Sequence, residues 1–274
     1  MAYQEWGDAD NPDVVICLHS YTRLSNDFDA LASELSAQFR VICPDFAGRG
    51  RSGWLRNPQD YHHVQYVDDI VTLLARLQID SADFIGTGLG ATVAARLAAL
   101  PNSPVKKLIL NDFTPQLEVA TLKKVGQEAG LPWRFSRLEE AIQFIRSNAP
   151  SRGQHTEAQW LKFCTDVLRQ NAEGMWIRHY DLNLALPLLA TNAEMVQSAQ
   201  LIMWWIYDAI TCPTLLLRAA DSEMLLKETA IDMTRRGPKP QLVEFEQVGT
   251  TATLVHSNQI NVVKDFLLDR LDLG

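Results

Sequence analysis

Short runs of apolar, β-branched residues recur along the chain, separated by stretches with helical apolar spacing. The run at 14–19 (VVICLH) precedes helical spacing over 28–39. A second run, 40–45 (RVICPD), precedes a helix over 64–79, and a third, 82–87 (ADFIGT), leads into an Ala-rich helix over 89–100. A further strand is predicted at 105–112 (VKKLILND). These strands are continuously apolar instead of alternating, the pattern of a parallel sheet covered on both faces. Strand–helix repetition at this spacing predicts right-handed crossovers and a doubly wound, mostly parallel α/β sheet.

From about residue 117 to 208 the pattern changes. The segment reads as helical throughout, with no strand-like run, and holds Trp133, Trp160, Trp176, Trp204 and Trp205. It is expected to be a helical cap, 117–208, inserted into a core made of 1–116 and 209–274. The alternation then resumes with a strand at 212–220, a helix near 225–235, a strand at 241–246 and a helix over 258–271. Trp204 and Trp205 are expected to join cap to core, and Trp176 to line a pocket beneath the cap.

With 47% hydrophobic and 21% charged residues, the chain can bury a sizeable core. Its 33 acidic and 25 basic residues give a net charge of −8, which argues against nucleic acid or an anionic membrane as partner. No apolar run approaches the roughly 18–20 residues of a membrane helix. The first fifteen residues lack the basic and apolar regions of a secretory signal. Cys17, Cys43, Cys164 and Cys212 are widely spaced and are expected to be buried free thiols of a reducing compartment, by default the cytoplasm. No cofactor or metal motif is present; the adjacent His62 and His63 cannot both serve one ion without other ligands. The expected partner is a small molecule, with self-association left open.

The segment FIGTGLGATVAARLAAL carries the most chemical information. A strand enters a Gly-flanked turn and leaves directly into a helix. The same glycines fit the start of a dinucleotide fingerprint, but that motif usually lies on the first strand of its fold. Other segments decide between the two. LHSYTRLSNDFDALASEL, PDFAGRGRS, WWIYDAITCPTLLLRAADSEMLL and FEQVGTTATL follow one another in the order of the α/β-hydrolases. They resemble, in turn, that family's H-G-x loop, its D-x-x-G-x-G-x-S loop, the strand before the acid, and the V-G-H-x-P segment that carries the histidine. The resemblance covers nearly the whole chain apart from the cap.

The resemblance implies a G-x-S-x-G nucleophile elbow at 86–90, with Gly88 in the serine's place. Thr250 stands in the histidine's place, and threonine cannot accept and return a proton near pH 7. The acid is expected at Asp221 or Glu223. The oxyanion donors implied by position are the backbone N–H groups of Leu89 and Tyr21. Ser20 replaces the glycine after His19, and its hydroxyl is a candidate pocket group. His256, six residues past Thr250, is read as a helix-start or surface histidine, and Arg49 and Arg51 as partners of Asp45. Several motif positions depart together, which reads as divergence.

Three functions fit. One is a binding protein that holds a small, largely apolar molecule under the cap without cleaving it. Another is an enzyme with changed chemistry, such as cyclisation, decarboxylation, a lyase step or water-mediated hydrolysis, that uses the surviving oxyanion hole. The last is a non-catalytic interaction subunit.

Overall fold

The computed structural model describes residues 1–149 and 153–272. Its strands are β1 (Tyr3–Trp6), β2 (Val14–Leu18), β3 (Arg40–Pro44), β4 (Ala82–Thr87), β5 (Val105–Asn111), β6 (Leu168–Gln170), β7 (Trp176–Arg178), β8 (Thr214–Ala219) and β9 (Gln241–Phe245). Its α-helices are α1 (Asp29–Leu35), α2 (His63–Arg76), α3 (Leu89–Ala98), α4 (Val119–Gly130), α5 (Leu138–Asn148), α6 (Glu157–Asp166), α7 (Ala185–Leu189), α8 (Ala193–Asp208), α9 (Lys227–Thr234) and α10 (Ser257–Leu267). Seven strands form one sheet in the order β1-β3-β2-β4-β5-β8-β9. All neighbours pair in parallel except β1, which runs antiparallel to β3 at the edge.

The pleat sorts the core into two layers. Ile16, Leu18, Phe84, Leu108, Leu110 and Leu216 face one side, where α2 and α3 pack. Val15, Cys17, Ile85, Ile109, Leu215 and Leu217 face the other, against α1 and α10. Burial on both faces explains why these strands read as continuous apolar runs. In α2 the buried Tyr66, Ile70, Leu73 and Leu74 recur at one-turn spacing and present a single stripe to the sheet.

Between β5 and β8 the chain makes α4 to α8 and one element the sequence pattern does not show, the antiparallel ribbon β6–β7. Its strands are three residues each, too short for a period-2 signal. The turn between them is set by Asn171, whose Oδ1 accepts from the N–H of Glu173 and Met175, and by Gly174 at φ +74. Trp176 lies on this ribbon, paired through its backbone with Phe135, and packs into a small cap core with Trp133 and Phe135.

The Gly-rich loop 46–53 ties the cap to the core. Gly50 N–H donates to His179 O at 2.9 Å, and Asp181 N–H donates to Gly48 O at 2.8 Å. Arg49 is wholly buried and does not pair with Asp45 as expected. Its guanidinium donates to Tyr21 O, Ala47 O and the Tyr66 hydroxyl, with the Tyr21 and Tyr66 rings alongside. Asp45 instead accepts from the N–H of Ser25 and of Arg51. Of the two adjacent tryptophans, Trp204 packs on Arg236 and Tyr207, while Trp205 is 73% exposed and joins nothing to the core. Among the described residues all four cysteines are free; Cys212 is half-buried and the others are buried.

Helix α3 meets the sheet through glycine. A Cβ on Gly90 would lie 2.0 Å from the Leu18 carbonyl oxygen, and one on Gly86 would lie 2.4 Å from Ala91 N. Backbone cannot yield there as a side chain can. Gly90→Ala is therefore expected to lower stability by about 2–3 kcal/mol or more, read as the urea midpoint by circular dichroism.

Candidate functional site

The strand–turn–helix of β4 and α3 holds Gly88 at φ +52, ψ −109, in the left-handed half of backbone space. The turn is fixed by main-chain bonds. Gly88 N–H donates to Asn111 O at 3.0 Å, and Gly88 O accepts from Thr92 N–H at 3.0 Å. Unlike its neighbours Gly86 and Gly90, Gly88 has no backbone against the space a Cβ would occupy. The nearest atom is Ser20 Oγ at 2.8 Å. A hydroxyl from the loop after β2 thus reaches the space a side chain at 88 would enter. Among the described residues, neither Tyr21 N–H nor Leu89 N–H donates to a protein acceptor, so both expected oxyanion donors are free.

The acid side of the site differs from expectation. Asp221 and Glu223 are exposed, and Glu223 lies 3.8 Å from Lys124 on the surface. The residue between them, Ser222, turns inward and donates its hydroxyl to Asp112 Oδ1 at 2.5 Å. Thr251 Oγ1 donates to Asp112 Oδ2 at 2.8 Å. Asp112 immediately follows β5 and is buried, which pushes its carboxyl above the usual range against the pull of those two hydroxyls. Thr250 and Thr251 are adjacent, and the side chain that meets Asp112 is that of Thr251. The signal for Asp112 was its place at the carboxyl end of a parallel strand, where ligands of open α/β sheets gather. What sequence alone does not reveal is its pairing with residues more than a hundred positions away.

His19 serves the loop and faces no ligand. Its Nε2 accepts from Phe46 N–H at 3.0 Å and its Nδ1–H donates to Ser20 O at 2.7 Å. Complete burial lowers its pKa to about 4, so the ring is neutral at pH 7. Tyr21 donates its hydroxyl to Leu184 O of the cap, at 2.7 Å. Thr87 accepts from the Asn111 side chain. His256 is the residue before α10 and stacks on His155 of the cap at 4.9 Å.

A cavity of about 270 Å³ opens over the elbow, between Ser20, Thr87, Thr250 and Thr251 below and His155 and Phe163 of the cap above. A second, of about 280 Å³, shares Thr22, Arg23 and Phe163 with the first and runs beneath the cap to Trp133 and Arg178. Trp176 borders neither. Charged side chains also line the first cavity, but Arg23 is held by Asp27, and Lys162 by Asp29 and Asp166. Its lining is more polar than the expected apolar pocket. Among the described residues no cluster of His, Cys, Asp or Glu could hold a metal ion.

A seven-stranded, mostly parallel sheet with a Gly-flanked strand–turn–helix at 86–90 defines the class. A family model described as alpha/beta hydrolase fold matches residues 13–256, and the chain belongs to that family. It is 41% identical to the 3-hydroxybutyrate-oligomer hydrolase of Cupriavidus necator over 269 residues, 97% of this chain and 92% of that one. A putative hydrolase from Rickettsia typhi superposes with a TM-score of 0.88 at 25% identity, covering 98% of this chain and 91% of that one. An alpha/beta hydrolase from Novosphingobium aromaticivorans superposes with a TM-score of 0.85 at 28% identity, covering 98% and 93%. No helix of the described chain is long and apolar enough to cross a membrane.

The buried imidazole makes stability depend on pH. Between pH 6.5 and about 4 the unfolded chain binds a proton that folded His19 refuses, so stability falls as pH drops through that window and levels off below it. His19→Gln should flatten that part of the curve, measured as urea midpoints at several pH values.

Proposed function

We propose that this chain binds a small acyl compound, of the hydroxy-acid ester class for which its 41% identical relative is named, and does not cleave it through a covalent serine intermediate. The observation that carries this reading is the elbow itself. Residue 88 has no side chain, and Ser20 Oγ stands where one would enter. Covalent acyl transfer needs a nucleophile with a base beside it. Ser20 Oγ makes no hydrogen bond among the described residues, and the nearby His19 is committed to Phe46 N–H and Ser20 O. The groups on Asp112 are the Ser222 and Thr251 hydroxyls, which donate to the carboxyl and cannot shuttle a proton near pH 7.

The backbone half of the machinery supports ligand binding. Two free N–H donors at the elbow suit a carbonyl oxygen in its ground state as well as a developing oxyanion. The open cavity bordered by Ser20 and Thr87, the chain neighbours of Tyr21 and Gly88, favours a ligand site over a purely structural interaction subunit. One observation favours water-mediated turnover as the second reading. A buried carboxyl whose pKa is raised, as at Asp112, is a group able to take a proton from water.

Turnover of the linear 3-hydroxybutyrate dimer and of p-nitrophenyl esters separates these readings. The native chain is expected at background. The Ser20→Gly, Gly88→Ser, Thr251→His variant, which clears the elbow and places an imidazole on Asp112, should gain activity. The companion with Thr250→His instead of Thr251→His should gain much less. Native turnover with kcat on the order of 1 s⁻¹ or above would defeat the proposal. A slow native rate abolished by Asp112→Asn would select the water-mediated reading.

A further inference from the structure

The second cavity contains a buried cation without an anion. Arg178, at the end of β7, is 8% exposed and borders this cavity beneath the cap. Its guanidinium lies 3.6 Å from the centroid of the Trp133 ring. One terminal nitrogen donates to Glu128 O at 2.7 Å, and the other to the Tyr180 hydroxyl, which itself donates to Ala129 O at 3.2 Å. Its Nε–H has no acceptor. No carboxylate lies within ion-pair distance among the described residues. Arg23, the other cation on this cavity, is held by both oxygens of Asp27, at 2.9 and 2.8 Å.

Part of this arrangement closes a helix. Glu128 and Ala129 are in the last turn of α4, where carbonyls lack helical partners and a cation is favourable. Carbonyl and hydroxyl oxygens offer only partial negative charge, however, and burial pulls the Arg178 pKa down to about 10 against the opposing charge of Glu128, which forms no ion pair with it among the described residues. Removing a guanidinium from water is costly unless an anion meets it. A lysine or glutamine could bond the same carbonyl; a planar fork stacked on an aromatic face suits a carboxylate. The cavity also has apolar walls, including Leu131, Phe144 and Ile145, and Glu128 is the acidic residue that borders it.

Resting on the reading that the elbow cavity takes an acyl compound, we propose that the second cavity is a carboxylate subsite. Arg178, backed by Trp133, receives the free carboxylate of a ligand whose ester or acyl group lies toward Gly88. Thr22, Arg23 and Phe163, shared by the two cavities, are the passage between them. The ligand class is then an acid with an apolar short-chain body, not a neutral ester. Paired Arg23 has no free charge to compete for the same group.

The test compares the linear 3-hydroxybutyrate dimer with its methyl ester, by calorimetry on the native protein and on Arg178→Met and Arg178→Gln. The native chain should bind the acid about tenfold or more tightly than the ester. Both variants should lose that preference and leave the ester affinity unchanged, with thermal unfolding showing that they fold. Glutamine can keep the bond to Glu128 O, so it separates loss of charge from loss of the helix cap. A preserved acid-to-ester ratio in the variants overturns the subsite, as does an equal fall for both compounds. Failure of the native chain to bind either compound overturns it as well. If the native chain hydrolyses the dimer with kcat on the order of 1 s⁻¹ or above, the non-covalent reading fails on its own, and the acid-to-ester ratio of kcat/KM in the same variants decides the role of Arg178.

Discussion

The rest of the molecule depends on the contact of α3 with the strands beneath it. With no side chain at Gly90, the helix start sits directly against the Leu18 carbonyl, and with none at Gly86 the strand before the turn packs on Ala91. That spacing forces the chain through a left-handed residue at 88 and aims the first N–H groups of α3 at the carboxyl ends of the strands. Asn111 O, at the end of β5, holds the turn through Gly88 N–H. None of these bonds involves a catalytic side chain. The backbone frame of the elbow therefore does not depend on which side chain stands at 88, and here residue 88 is a glycine.

The frame constrains which side chains can enter the elbow. At the elbow, space is shared between residue 88 and residue 20, so a hydroxyl can enter from either side but not from both without adjustment. Ser20 with Gly88 is one solution to that packing, and glycine at 20 with serine at 88 is the other. On the opposite side, Asp112 keeps two hydrogen-bonded partners, Ser222 and Thr251. A buried carboxylate left alone would be expensive.

Much of this architecture was legible in sequence, because both signals are local. Continuous apolar strands report burial on both faces, and a Gly-x-Gly-x-Gly turn between strand and helix reports close packing. What was not legible joins distant residues. Asp112 meets Thr251 across 139 positions, and the family pattern pointed past it to Asp221 and Glu223, which the turn after β8 leaves in solvent. The β6–β7 ribbon escaped notice because three-residue strands carry no period. Arg49 was expected to pair with Asp45, yet each instead bonds backbone or hydroxyl groups that only the folded loop supplies. Trp176 looked like a pocket residue because a lone tryptophan in a cap does not reveal which side it faces.

Intact-mass analysis after incubation with a fluorophosphonate addresses the central claim most directly, since a serine activated for acyl transfer is phosphonylated at its Oγ. The native protein is predicted to show no adduct, while the variant carrying Ser20→Gly, Gly88→Ser and Thr251→His shows one at residue 88. A stoichiometric adduct on native Ser20 would contradict the account, because the hydroxyl that fills the elbow would then be a working nucleophile.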